Sequence, residues 1–257
     1  MITIKNESQI EKMRRAGALM HEVLEKLRGE IEPGVTTLHL DQTAERLIRE
    51  AGAIPSSKGY EGFPYSICAS VDDQVVHGFS NRDKLRKGQL LSVDCTLLLD
   101  GWQSDSAFSV LVGGGSREAQ QLIDVTERCF WLGAQQAVAG NHLGDIGHAV
   151  QTYAESFGYG GIRDRCGHGI GTEMHEDPNV PNFGRPHRGV KLQAGMTITI
   201  EPMIAMGTWK VYCEDDGWTV RTQDGSLASH YEHTLLITDG EPEILSYPGM
   251  KVSEVLR

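Results

Sequence analysis

The sequence predicts an α+β fold of two similar halves, and three observations carry that prediction. Apolar residues recur at helical spacing in two pairs of segments, and the second pair repeats the first at a displacement of 106 positions. Each helix pair is followed by runs that alternate as strands do. No Ser/Pro-rich or highly charged linker divides the chain, so 1–257 reads as one domain with internal halves of about 1–112 and 113–257. Halves related in this way meet about a pseudo-two-fold axis, where a site would draw ligands from both.

Taken in order, residues 7–28 form the first helix, with Ile10, Met13, Ala16, Met20, Val23, Leu24 and Leu27 on one face and Gly17 tolerated within it. Pro33-Gly34 breaks the chain before a second helix over about 37–51, whose apolar face is Leu40, Ala44, Leu47, Ile48 and Ala51. In the repeat, Ala119, Leu122, Cys129 and Phe130 take the places of Met13, Ala16, Val23 and Leu24. Ile146, Val150, Tyr153, Ala154 and Phe157 take those of the second set. Gly34 and Gly52 stand eighteen apart, as do Gly140 and Gly158.

The strands carry acids where core or neutral residues are the rule. Residues 89–112 predict a hairpin about Asp100-Gly101, a favoured two-residue turn. Counting back from that turn sets Leu99 against Trp102 and Thr96 against Asp105, which brings Asp94 and Asp105 to one face as diagonal neighbours. Val93, Cys95, Leu97, Phe108 and Val110 supply the other face. In MTITIEPMI, read as a strand over 196–204, Glu201 shares parity with Thr197 and Thr199; in SHYEHTLLIT, over 229–238, Glu232 shares parity with His230 and Thr234.

Two carboxylates converging on one face need a cation, a shared proton or open water, and Glu201 and Glu232 bring the strand acids to four. Two divalent ions would balance four negative charges, and a neutral imidazole would add a ligand without adding charge. An oxygen-rich donor set with one nitrogen suits hard or borderline ions such as Mn, Fe(II), Co or Mg better than a thiolate-type zinc site does. Two such ions bridging a water is hydrolase chemistry.

Whole-chain properties narrow the function classes. Apolar residues at 39 % and charged residues at 23 % fit an ordinary globular protein, and a net charge of -11 argues against a general binder of nucleic acid or anionic membranes. There is no apolar run of about 18 residues and no signal-peptide pattern in MITIKNESQIEKMRR, so a cytoplasmic location is expected. Five cysteines without a C-x-x-C pair indicate neither a disulfide framework nor a cysteine-rich zinc site. A Ser-His-Asp hydrolase would need a G-x-S-x-G elbow and a nucleotide binder a P-loop or G-x-G-x-x-G, and the sequence has none of these.

VVHGFS with His77, SVDCTLLLDGWQSDS with Asp94 and Asp105, CGHGIGTEMHEDP with His168 and His175, TITIEPM with Glu201, DGW with Trp218 and YEHT with Glu232 follow one another in the order found in the type I methionine aminopeptidases without an N-terminal extension. The sequence closely resembles that family. The resemblance implies the pita-bread fold, two pseudo-symmetric αβ halves with a curved antiparallel sheet covered by helices. It implies two divalent ions, with Mn, Fe(II), Co, Zn or Mg all open. Asp94 would chelate one, Asp105 and Glu232 would bridge both, and His168 and Glu201 would complete the other.

The implied reaction is removal of initiator methionine from nascent chains whose second residue is small, a water or hydroxide between the ions attacking the scissile carbonyl. Glu201 would relay the proton, His175 would contact that carbonyl and His77 the scissile nitrogen. Tyr60, Phe63, Cys68, Met174 and Trp218 match the methionine pocket. Peptide and nascent-chain N-termini are then the substrates, ribosome association follows from the family alone, and a monomer without nucleic-acid or membrane partners is expected.

Ser57, Ser104 and Met174 depart from residues common in the family at those places, which bears on pocket shape. The glycines of CGHGIG are expected to let backbone pass close to metals and substrate. Proline-specific peptidases share the five ligands but usually carry a sizeable N-terminal domain. Non-catalytic members of the fold lose ligands, and this sequence keeps all five.

Overall fold

The computed structural model describes residues 1–257. In the first half, α1 (Glu7–Glu30) and α2 (Thr37–Glu50) precede β1 (Ile54–Pro55), β2 (Ile67–Val71), β3 (Gln74–Val76), β4 (Leu90–Leu99) and β5 (Trp102–Leu111). The second half opens with α3 (Arg117–Gln136) and α4 (Leu143–Ser156), then β6 (Gly160–Gly161), β7 (Gly167–Gly169), β8 (Glu176–Val180), β9 (Thr197–Ile200) and β10 (Met203–Ala205). It closes with β11 (Val211–Cys213), β12 (Val220–Thr222), β13 (Ala228–His230), β14 (Glu232–Leu236), β15 (Glu243–Ile244) and the short α5 (Val252–Val255).

Helix ends explain the repeated glycines. Residues Thr37 and Glu50, moved by 106 positions, give the observed limits of α4, Leu143 and Ser156. Gly52 and Gly158 adopt φ of 78° and 75°, and each closes its helix with the same pair of backbone bonds. Gly52 N–H reaches Arg49 C=O and Ala53 N–H reaches Ile48 C=O; Gly158 N–H reaches Glu155 C=O and Tyr159 N–H reaches Ala154 C=O. Ala51 and Phe157, expected on apolar faces, therefore lie past the last turn and are exposed.

The main sheet runs β1-β4-β5-β14-β9-β7-β8, with β2 also on β4 and β15 also on β14, all antiparallel. It crosses from one half to the other at β5·β14. One face is covered by helices. Val93, Cys95, Leu97 and Phe108 pack with Met20, Leu24, Leu27, Leu40 and Ile48 of α1 and α2. Ile198, Ile200 and Leu235 pack with Phe130, Trp131, Ala134 and Ile146 of α3 and α4. Each such large apolar side chain contributes about 1.5–3 kcal/mol by leaving water. The opposite face is left for polar groups.

Two predicted strands are interrupted. The run over 196–204 divides into β9 and β10 because Pro202 has no N–H for the ladder, so Glu201 stands just past a strand end rather than within one. The run over 229–238 divides at Tyr231, whose N–H turns to Pro202 C=O; β13 then pairs β10 in a separate small sheet, while β14 joins the main one.

Candidate metal centre and active site

The β4–β5 hairpin has the register its turn dictates. Asp100 and Gly101 take φ of 50° and 81°, the two positive values a type I′ turn requires. Leu99 then faces Trp102, and Thr96 faces Asp105. Cys68 on β2, Asp94 on β4, Ala107 on β5 and Glu232 on β14 form one row across four strands. Ala107 offers only a methyl group between Asp94 and Glu232, leaving room above it for two carboxyl groups.

Side-chain bonds stitch the two halves together beneath these acids. Asp105 N–H donates to Thr234 Oγ1 at 3.0 Å, and Thr234 Oγ1 donates back to Asp105 C=O at 2.9 Å. Ser106 Oγ donates to Glu232 C=O at 2.8 Å. Thr199 holds two groups at once: its hydroxyl accepts from His168 N–H at 3.0 Å and donates to Glu201 Oε1 at 3.1 Å. His168 Nε2 lies 3.7 Å from Asp105 Oδ2 and 3.6 Å from Glu201 Oε1. Sequence reading placed Thr199 and Thr234 on the right face without a role; their parity was the signal.

Charge is resisted throughout the cluster. Burial pushes the Asp94 carboxyl up to about 6. Burial, then the neighbouring acids, pushes Asp105, Glu201 and Glu232 well above the usual carboxylate range. His168 is lowered to about 3 by burial and then by His175, which keeps its imidazole neutral and able to ligate. Asp105 Oδ1 and Glu232 Oε1 are sealed from solvent with no hydrogen-bond partner. Two groupings of ligand atoms, each within 4.8 Å, share Glu232: Asp105–His168–Glu232 and Asp94–His230–Glu232. Unpartnered carboxylate oxygens and neutral imidazoles fit divalent cations.

A cavity of about 870 Å³ opens over this cluster. It is lined by Asp94, Asp105, His168, Glu201 and Glu232, by His77 and His175, and by Tyr60, Phe63, Cys68, Met174 and Trp218. The candidate ligands, the two candidate histidines and the candidate pocket residues thus meet in one place. Phe63 and Trp218 pack edge to face at 5.1 Å, and Trp218 meets His77 at 5.9 Å. His175 Nδ1 is hydrogen-bonded to Tyr60 Oη at 2.8 Å, and its ring stands 4.4 Å from that of His168. Burial lowers His77 to about 4 and lowers His175 as well. Ser57 lines the cavity; Ser104 is buried away from it, so its departure does not shape the pocket wall.

The glycines of CGHGIG lie hard against other parts of the chain. A Cβ at Gly167 would lie 2.5 Å from Thr199 O, one at Gly169 2.1 Å from Asp177 O, and one at Gly171 2.4 Å from Glu176 Oε1. Their small size is what lets these neighbouring protein groups approach closely. Glu176, unnoticed in the sequence, gathers this loop: it accepts from Thr172 N–H and binds Lys5 Nζ at 2.7 Å in a largely buried pair.

Residues 11–239 match the sequence pattern of metallopeptidase family M24. The chain belongs to that family. It is 53 % identical to the methionine aminopeptidase of Clostridium acetobutylicum, over 96 % of this chain and 99 % of the relative, and 42 % identical to methionine aminopeptidase 1 of Bacillus subtilis, over 96 % and 99 %. The crystal structure of methionine aminopeptidase from Rickettsia prowazekii superposes on this M24 chain with a TM-score of 0.94, at 40 % identity, covering 96 % of this chain and 100 % of that one. Prolidase from Pyrococcus furiosus shares the fold, with a TM-score of 0.76 at 20 % identity, and this M24 chain covers 66 % of it. The predicted pita-bread fold is the one observed, and M24 membership makes a divalent-metal centre the natural occupant of the acid cluster.

Proposed function

We propose that this chain is a methionine aminopeptidase that removes the initiator methionine from proteins whose second residue is small. The observation that carries the reading is the meeting, in one cavity, of five candidate ligand side chains with His77 and His175, both lowered by burial, and an apolar, sulfur-bearing wall. Full-length similarity to methionine aminopeptidases supports it over the proline-specific reading, since likeness to prolidase extends to the fold alone.

Asp94, Asp105, His168, Glu201 and Glu232 would hold two divalent ions drawn from Mn, Fe(II), Co, Zn and Mg. Bound there, such ions supply Lewis acidity and make water nucleophilic at neutral pH. Glu201 is fixed by Thr199, and burial strengthens its carboxylate as a base; in that ionised form it takes the proton from the attacking water and returns it to the leaving amine. Tyr60 fixes the His175 ring through Nδ1, leaving Nε2 to polarise the scissile carbonyl. His77, against Trp218, contacts the scissile nitrogen. Phe63, Cys68, Met174 and Trp218 surround the thioether, a soft side chain that suits such a wall.

Residues 1–257 act as one domain of two halves, about 1–112 and 113–257. No helix is long and apolar enough to cross a membrane, and the substrates are free N-termini of peptides and nascent chains. A cytoplasmic monomer that meets nascent chains at the ribosome completes the proposal. The deciding assay compares Met-Gly-Met-Met with X-Pro peptides on metal-loaded enzyme. Free methionine from the first, declining as the second residue is enlarged, is expected. Release of X from X-Pro with no free methionine overturns the reading.

A further inference from the structure

His230 is not one of the five residues the family resemblance makes ligands, yet it faces the acids. Its side chain is almost wholly buried at the end of β13, two residues before β14 begins. Its backbone is pinned on both sides by Ser109 of β5: His230 N–H donates to Ser109 Oγ at 3.0 Å, and Ser109 Oγ donates to His230 C=O at 2.8 Å. The imidazole is thereby aimed from a different sheet at the Asp94 side of the cluster. Its Nε2 is sealed from water, has no hydrogen-bond partner, and stops 3.7 Å from Glu232 Oε2. That separation is too long for a hydrogen bond.

An imidazole nitrogen in this position has two ways to be satisfied. As a donor it would have to close on Glu232. As an acceptor its lone pair faces the lone pairs of carboxylates, an arrangement that a cation between them turns from repulsion to ligation. Asp94, His230 and Glu232 bring their ligand atoms within 4.8 Å of one another, just as Asp105, His168 and Glu232 do. We propose that His230 is a sixth metal ligand, giving the Asp94 side an imidazole of its own, so that each of two ions sharing Glu232 has one nitrogen donor. An added nitrogen favours borderline ions such as Co, Fe(II) or Zn over Mg on that side. This inference rests on the two-ion reading above.

The test is uptake of Co²⁺ by metal-free protein, measured by calorimetry and by cobalt X-ray absorption, which counts imidazole rings per ion. Wild type is compared with H230Q, which keeps a buried polar side chain, and with H230A; thermal unfolding checks that each variant folds. Wild type is expected to bind two ions with one ring per ion. H230Q is expected to keep the tighter site, to weaken the other on the order of 10–100-fold, and to show one ring per two ions. An unchanged isotherm and ring count overturn the proposal. A weaker isotherm with an unchanged ring count overturns it too, leaving His230 as a group that positions Glu232. If wild type binds a single ion, the two-ion reading fails, and the count of one ring or two on that ion decides His230 separately.

Discussion

The two halves deliver their acids by different means. Asp94 and Asp105 ride on a hairpin of two ten-residue strands whose full register follows from one tight turn. His168, Glu201 and Glu232 come from strands of three to five residues, or from just past the end of one, and hold their places through Thr199, Ser106 and glycine-sized gaps. Long ladders fix side chains by repetition. Short ones need individual bonds, so the second half is where single substitutions away from the ligands should displace the site.

Removing a proposed shared ligand from the long hairpin is the sharpest way to separate ligation from scaffold. Asp105→Asn keeps shape and register but loses a charge that faces His168 and Glu232. Metal affinity is expected to fall at least ~100-fold, with activity falling in step and the apo fold retained. Metal content by elemental analysis and turnover of a Met-Gly peptide read this out; wild-type values for both would remove Asp105 from the centre.

In the second half a far smaller chemical change should damage the fold itself. Gly169→Ala puts a methyl group 2.1 Å from Asp177 O, so β7 and β8 must part. A loss of about 3 kcal/mol is expected by denaturant unfolding. On the hairpin side of the seam, deleting the Ser106 hydroxyl that holds Glu232 C=O (Ser106→Ala) should cost only about 1 kcal/mol, because the β4–β5 ladder survives without it. Equal losses would undo the contrast between the halves. At the seam, Thr234→Val strands Asp105 N–H without its partner and removes a donor from Asp105 C=O, for about 2 kcal/mol.

The same contrast governs what is legible in the sequence. The hairpin can be read to the residue because Asp100-Gly101 permits one register, and α1, α2 and α4 can be read because apolar spacing and paired glycines mark their faces and ends. The breaks at Pro202 and Tyr231 cannot be read from alternation, which runs unbroken through both, so Glu201 looks mid-strand when it caps one. The glycines of CGHGIG are visible, but what presses on them is not, since Thr199 and Asp177 come from other parts of the chain. His230 shows the limit most clearly. Parity puts it on the face of Glu232, whereas its aim depends on a second sheet and on Ser109, more than a hundred residues earlier.

The smallest effect concerns the hairpin's own charge. A carboxyl whose folded pKa lies above its unfolded value contributes stability that is complete below the unfolded pKa and is lost as pH rises through the folded one. For Asp94 the window runs from 3.8 to about 6. Metal-free wild type should therefore lose stability across that window relative to Asp94→Asn, whose amide never ionises. Asp94 is only partly buried at the cavity wall, so the divergence is expected to be about 1 kcal/mol. Denaturant melts of both proteins at pH 4 and pH 7 measure it. Divalent metal should reverse the order at pH 7, stabilising wild type and not the variant, because the ionised carboxyl that burdens the empty site is what binds the ion. If the two proteins keep the same spacing at both pH values with and without metal, Asp94 carries no uncompensated charge, and the first half would then be as dependent on local bonds as the second.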